Sequence, residues 1–180
     1  MAKLKPPVSE KDHLKGDIHA PVVLVEYGDF QCPHCGAAYP IVKQIEKVYK
    51  DKLAFVFRHF PLAESHPYAQ AAAVASEAAA SQGKFWQMHS LIFENQNQLG
   101  PEMLLQLAES LKLDMKTFQH DLKDPKLFKK MEDDFESGIV SGVNGTPSFY
   151  INGVKFNGSY DYQSLTQAID HAISASAVKG

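Results

Sequence analysis

The chain has 180 residues, of which 44% are hydrophobic and 22% are charged, and its formal net charge at pH 7 is −3. These proportions are ordinary for a globular domain, and a chain of this length can bury about 70% of the surface that it exposes when unfolded. The acidic balance and the lack of a lysine or arginine cluster exclude a strongly basic nucleic-acid-binding protein, and no apolar run approaches the roughly 18 residues that indicate a membrane span.

The beginning of the chain predicts a polar, flexible lead-in over residues 1–20. It contains Lys3, Lys5 and two prolines, and it lacks the apolar stretch of a secretory signal peptide. We therefore expect a cytoplasmic protein, or one that acts in the periplasm or elsewhere outside the cytoplasm after a signal peptide has been removed. Residues 21–180 are expected to form a single domain.

A strand, a pair of cysteines and a helix come next. The apolar run at residues 21–27 predicts a buried strand, and Cys32-Pro33-His34-Cys35 follows it with the only two cysteines of the chain. Apolar residues at helical spacing then predict a helix over residues 33–50, bent at Pro40. A thiol at a helix N-terminus is stabilised as a thiolate, and a second thiol nearby can close a disulfide with it. This arrangement indicates an enzyme that exchanges electrons with the cysteines of other proteins.

The rest of the chain predicts an α/β fold that contains a block of helices. Residues 53–60 predict a second strand, parallel to the first because a helix joins them. Ser65 is expected to cap an alanine-rich helix, and about 80 residues without a strand signal follow before a hairpin that turns at Asn152-Gly153. A last amphipathic helix is expected from about residue 161. Since strands flank the block, residues 65–141 are interpreted as an insertion.

This order of elements, together with the Cys-Pro-His-Cys tetrad, resembles the DsbA-like thiol:disulfide oxidoreductases. That family has the thioredoxin fold, a central mixed sheet flanked by helices, with an inserted helical subdomain. Two further landmarks carry the resemblance, which extends over residues 22–173. Glu26, six residues before Cys32, matches the acidic residue on the strand beneath the family's disulfide. Thr146-Pro147 matches the cis-proline loop, which packs against the disulfide and pairs with the substrate backbone.

The resemblance implies a redox-active disulfide between Cys32 and Cys35. Cys32 would be the nucleophile that carries the mixed disulfide, and Cys35 would resolve it. The intervening Pro33 and His34 belong to the same motif, and His34 is expected to shift the pair toward the oxidising side. Glu26 would be a buried carboxyl that takes the proton from Cys35.

The resemblance also implies a class of substrate and a direction of electron transfer. Thr146 and Pro147 would hold the substrate strand, and Phe30, next to the motif, is a candidate substrate contact. The partners would be protein or peptide thiols or disulfides and an unidentified redox partner. No dissociable cofactor is needed, because the electrons stay in the cysteine pair, and a dithiol oxidase is the expected activity.

Three alternatives stay open at this point. A cytoplasmic reductase would differ from an oxidase in its reduction potential, and a glutathione-transferase-like module on the same fold usually lacks the second cysteine. A metal-binding module would need further ligands, and the spacing of His59 and His66 does not supply them. No metal is therefore expected. Only about 20 residues precede the first strand, so we expect no separate N-terminal dimerisation domain. We therefore expect the protein to be a monomer.

Overall fold

The computed structural model describes residues 1–179, and these contain one mixed sheet of five strands. The strands are β1 (His13–Lys15), β2 (Val22–Gly28), β3 (Leu53–His59), β4 (Ser148–Ile151) and β5 (Val154–Phe156). Their order across the sheet is β1-β3-β2-β4-β5. The central pair, β2 and β3, is parallel, and the other neighbours are antiparallel. The end of β2 therefore lies in the middle of the sheet, where the cysteine motif follows it.

Seven α-helices accompany the sheet within the described residues. They are α1 (Pro33–Tyr49), α2 (Ala69–Ala80), α3 (Phe85–Glu94), α4 (Pro101–Ser110), α5 (Met115–Asp121), α6 (Pro125–Ser141) and α7 (Tyr162–Lys179). The five helices from α2 to α6 follow one another between β3 and β4, as the interpretation of an inserted helical block requires. The predicted thioredoxin fold with a helical insertion is confirmed.

Both faces of the central strands are covered. Leu24 and Phe55 belong to a large apolar cluster that includes residues of α1, α3 and α7, whereas Val25 and Val56 belong to a smaller cluster against α6. Neighbours along a strand point to opposite faces, so these continuous apolar runs are explained by a sheet that is buried on both sides.

The lead-in differs from the prediction, because it packs against the sheet. Strand β1 pairs with β3, and Leu4 is buried. Arg58 on β3 contributes to this packing, because its guanidinium is buried and needs partners. It donates to the Asp12 carboxylate at 2.8 and 3.0 Å and to the carbonyl of Pro6 at 3.0 Å. Residues of the lead-in thus neutralise a charge on the central sheet and pack against it.

The other predicted boundaries hold with small shifts. Ser65 does not cap the alanine-rich helix, since α2 begins at Ala69 after a turn. Helix α1 continues through Pro40 to Tyr49, and the hairpin turns at Asn152-Gly153 as expected. The predicted domain end at residue 180 lies outside the described residues.

Within residues 1–179, no helix is both long enough and apolar enough to cross a membrane.

Candidate functional site

The two cysteines lie where β2 ends and α1 begins. Cys32 is the N-cap of α1, Pro33 occupies its first turn, and Cys35 lies one turn further along. Both are free thiols. Cys35 is fully buried, and Cys32 keeps 4% of its surface exposed. Both sulfurs are thus largely enclosed, and Cys32 is the more accessible of the two.

Several donors converge on the Cys32 sulfur. A hydrogen bond from the Cys35 thiol is the main reason that the pKa of Cys32 is lowered to about 5. Burial opposes this shift, while the side-chain hydroxyl of Thr146 and the backbone N–H groups of Cys35 and His34 add to it. The N–H groups belong to the first turn of α1, where no carbonyl of the helix accepts from them. Cys32 is thus suited to be a thiolate near neutral pH.

Cys35 has the opposite electrostatic environment. Burial raises the pKa of the Cys35 thiol well above its ordinary value, and the neighbouring Cys32 and Glu26 raise it further. One contact acts in the other direction, because the backbone N–H of Asp29 points to the Cys35 sulfur at 3.4 Å. The two thiols are therefore strongly unequal, and the proton of the pair belongs to Cys35.

Glu26 lies on β2 and is buried, with 3% of its surface exposed. Burial raises the pKa of this carboxyl to about 8, and the charges of Cys32 and Glu46 contribute. A carboxyl with this pKa is mostly protonated at neutral pH and can exchange a proton with a nearby group. Glu26 is thus a buried carboxyl with a raised pKa on the strand that leads to the cysteines.

His34 contributes its backbone to the environment of the Cys32 sulfur. The ring is exposed and lies 3.1 Å from the hydroxyl of Tyr160, measured from Nδ1. What reaches the Cys32 sulfur is the backbone N–H of His34. The contact with Tyr160 joins residues 126 positions apart, and no local pattern in the sequence indicated it.

The loop before β4 lies against Cys32. The peptide bond between Thr146 and Pro147 is cis. The Cys32 thiol is 3.6 Å from the carbonyl oxygen of Thr146, within hydrogen-bonding distance for sulfur. Both loop residues are half-buried, so this loop and the start of α1 form one shared edge around the Cys32 sulfur.

Phe30 differs from the prediction. Its side chain is 1% exposed and packs among aromatic rings, with ring centroids 5.0 Å from Phe93 and 5.2 Å from Phe57. A buried ring that fills the core beneath α3 does not offer a surface to a substrate. The prediction of a substrate contact at Phe30 is therefore corrected, since Phe30 is part of the core.

Gln96 forms hydrogen bonds to the backbone of the cysteine motif, and the sequence analysis did not identify this residue. Its side-chain amide donates to the carbonyls of Phe30 at 2.9 Å and Cys32 at 2.8 Å. Gly36 makes room for this contact, because a β-carbon there would approach the Gln96 Oε1 to 2.2 Å. A glycine directly after the second cysteine was the only signal, and it does not identify the partner.

A second polar cluster joins β1, β3 and α2. The Nε2 atoms of His13 and His59 lie 2.6 and 2.7 Å from the same oxygen, Oε2 of Glu77. The three groups are close enough together to hold a metal ion. However, the Nδ1 atom of His59 is buried without a hydrogen-bond partner, whereas metal-binding histidines almost always have one at the second nitrogen. The contacts are explained by hydrogen bonds that join three elements around a buried carboxylate.

The lowered pKa of Cys32 leads to a prediction for the reduced protein. Its alkylation rate should be half-maximal near pH 5 and constant above about pH 7, because the thiolate is the reactive form. The protein unfolded in denaturant serves as a control, in which the midpoint should be about 8.5. Since the folded pKa is depressed, Cys32 stabilises the folded reduced protein above the unfolded pKa, and this stability is lost as the pH falls through 5. A midpoint near 8 in the folded protein would contradict the assignment.

Known proteins resemble this chain along most of its length. A family model described as thioredoxin matches residues 8–171. A Na(+)/H(+) antiporter NhaA 1 from Salinispora arenicola is 41% identical over 170 residues, which are 94% of this chain and 26% of the antiporter. The chain thus spans about a quarter of the length of that relative.

Solved structures agree with the family model. Wolbachia pipientis alpha-DsbA1 superposes with a TM-score of 0.85 and 25% identity, covering 97% of this chain and 96% of that protein. Bacillus subtilis BdbD in its oxidised form gives a TM-score of 0.84 and 26% identity, covering 96% and 98% respectively. With the fold, the paired thiols and these similarities established, the chain belongs to the thioredoxin family and is a DsbA-like member of its superfamily.

Proposed function

We propose that this DsbA-like thiol:disulfide oxidoreductase is a dithiol oxidase that transfers its Cys32–Cys35 disulfide to protein or peptide thiols. The observation that carries the proposal is the inequality of the two thiols. Cys32 has a pKa of about 5, whereas burial raises that of Cys35 well above its ordinary value. A disulfide whose reduction leaves a stable thiolate is readily reduced, and so it oxidises other thiols.

The reaction has two exchange steps. A substrate thiolate attacks the Cys32 sulfur of the disulfide, the bond to Cys35 breaks, and Cys35 leaves with the electron pair and takes up a proton. A second substrate thiolate then attacks the first substrate sulfur, which forms the substrate disulfide and releases Cys32 as a thiolate. Two electrons pass from the substrate to the cysteine pair. A redox partner that accepts two electrons must reoxidise the protein.

Glu26 supports the first step as a proton donor. At neutral pH its carboxyl is mostly protonated, because burial raises its pKa to about 8. The Cys35 thiolate is the stronger base, so it takes the proton. In the reverse direction the resulting carboxylate takes the proton from Cys35 before Cys35 attacks.

The Thr146–Pro147 loop and the first turn of α1 would bind the substrate. The carbonyl of Thr146 is 3.6 Å from the Cys32 sulfur, so a peptide chain held along this loop has its own sulfur within reach. The exposed Pro33 and His34 would form the opposite wall of the site. Phe30, being buried, has no part in binding.

The size of the Cys32 shift supports oxidation over reduction. At pH 7 a thiol of pKa 5 stabilises the reduced form by about 2 kcal/mol relative to one of pKa 7, the value in thioredoxin. This corresponds to about 50 mV, since roughly 30 mV equals 1.4 kcal/mol for a two-electron couple. The Cys32 environment alone therefore favours a potential near −220 mV instead of thioredoxin's of about −270 mV.

The reduction potential tests this proposal. We expect equilibration with glutathione buffers at pH 7 to give a value above about −220 mV, in the direction of DsbA at about −120 mV. The fraction of reduced protein would be measured by alkylation and mass spectrometry. A potential at or below thioredoxin's would contradict the oxidase and favour the reductase.

A further inference from the structure

Asp29 is a buried carboxylate beside the thiol pair to which the proposed function gives no role. It follows β2 directly, and 1% of its surface is exposed. Its carboxylate accepts hydrogen bonds from the backbone N–H of Gln31 at 2.7 Å and of Leu62 at 2.8 Å, and it lies 2.7 Å from Nδ1 of His66. Three partners on two segments thus hold this side chain in one orientation.

The backbone of Asp29 contacts both cysteines. Its N–H points to the Cys35 sulfur at 3.4 Å, and its carbonyl accepts from the N–H of Cys32 at 3.1 Å. Of the main influences on the Cys35 thiol, burial and the neighbouring Cys32 and Glu26 all disfavour a thiolate there. The N–H of Asp29 is the one that favours it. The peptide group that the carboxylate anchors is therefore the donor available to a charged Cys35 sulfur.

We infer that Asp29 is a positioning residue for Cys35. Held by Leu62 and His66, its carboxylate keeps its own backbone N–H aimed at the Cys35 sulfur during thiol exchange. This inference rests on the proposed function. When the Cys35 thiolate attacks the Cys32 sulfur of a mixed disulfide, the Cys32–Cys35 bond forms and the bond to the substrate sulfur breaks. That sulfur leaves as a thiolate and takes a proton from water, and the same N–H stabilises Cys35 in the reverse step.

The variant Asp29→Asn tests the inference in the intact chain. One oxygen of the amide can still accept, but its NH₂ group then faces a donor, the N–H of Leu62 or of Gln31. Reduced protein would be mixed with excess oxidised glutathione, quenched with acid and analysed by mass. The first phase is adduct formation at Cys32, and the second is release of the second glutathione by Cys35. We expect the second phase to slow about tenfold or more, the effect of a hydrogen bond to a charged group, and the first to change less than about twofold.

Asp134→Asn provides a matched control. Asp134 is also buried, at 6% exposed, and its carboxylate also accepts a backbone N–H, that of His59 at 3.0 Å, and pairs with a cation, Lys130, at 2.6 Å. Among the hydrogen bonds of the described residues it makes none to either thiol. Both phases should stay within about twofold of the wild-type rates, because Asp134 forms a hydrogen bond with neither thiol. Since each substitution replaces a buried carboxylate, any general loss of stability should affect the two variants alike.

The possible outcomes distinguish the positioning role of Asp29 from the proposed function. Equal slowing of both phases in Asp29→Asn, an unchanged second phase, or the same slowing in Asp134→Asn would overturn the positioning role alone. Failure of the wild-type protein to form the adduct or to release the second glutathione would overturn the proposed function and the inference with it. If Asp29→Asn does not fold, His66→Ala removes one of the three partners, and it should slow the second phase selectively by a few-fold. An unchanged second phase in that variant would equally overturn the inference.

Discussion

Cys35→Ala should trap the protein on its substrate, whereas Cys32→Ala should abolish exchange. In Cys35→Ala the Cys32 thiolate can still attack a disulfide, but no second thiol is present to release the product. A mixed disulfide with a disulfide-bonded peptide should therefore accumulate to nearly one equivalent. Gel electrophoresis without reductant and intact mass would measure it.

The difference between the two variants depends mainly on access to the sulfur. In the wild-type pair Cys32 is the thiolate and burial keeps the proton on Cys35, but Cys35→Ala removes the hydrogen bond that lowers the pKa of Cys32 most, so part of this difference is lost in the variant. The intrinsic nucleophilicity of a thiolate also falls as its pKa falls, which offsets much of the advantage that ionisation gives Cys32. Cys35 has no exposed surface, while Cys32 has some. The double variant Cys32→Ala/Cys35→Ala is the control for non-covalent binding, and equal trapping by both single variants would contradict the division of roles.

Glu26→Gln should slow the Cys35 step by about a hundredfold, a typical contribution of a general acid or base. The amide keeps the shape of the carboxyl but cannot give or take a proton. The rate of mixed-disulfide resolution by Cys35 would be measured by quenched flow. Glu46→Gln is the matched control, because it removes a carboxylate charge that also acts on Glu26 but lies on α1. That variant should stay within about twofold of the wild-type rate.

The same substitution should raise stability in a pH-dependent manner. The folded pKa of Glu26, about 8, is above the unfolded value of 4.5, so the stability that this group contributes is complete below 4.5 and is lost as the pH rises through 8. Removing the titration should therefore stabilise the protein by less than about 1 kcal/mol at pH 5 and by up to about 3 kcal/mol at pH 7, less the cost of burying an amide. Urea unfolding at the two pH values would measure the change. A gain that is equal at both would show that Glu26 is not a buried carboxyl with a raised pKa.

The gain should also depend on the redox state. The Cys32 charge is the second cause of the raised pKa of Glu26, and it disappears when the disulfide forms. Glu26→Gln should therefore stabilise the reduced protein more than the oxidised one. This asymmetry distinguishes electrostatic coupling to the thiols from simple burial of the carboxyl.

The thiol pair and the hairpin of this protein could be predicted from short segments of sequence. The two cysteines, separated by two residues between an apolar run and an amphipathic helix, determine a thiol pair at a helix N-terminus. The Asn152-Gly153 turn likewise determines the hairpin of β4 and β5. These features depend on backbone preferences within a few residues, so the order of side chains is sufficient to reveal them.

The surroundings of the thiols were decided by the tertiary structure. Phe30 lies beside the motif in sequence, yet the packing of α3 makes it a core residue, and the lead-in packs on the sheet, where it supplies partners for the charge of Arg58 on β3. The carboxylate of Asp29 is held by His66, 37 residues away, and Gln96 reaches the cysteine motif over 64 residues. Such contacts are set by which segments the fold brings together and by the cost of leaving a buried polar group without a partner. Local periodicity shows that a residue will be buried, and only the assembled fold determines what it will be buried against.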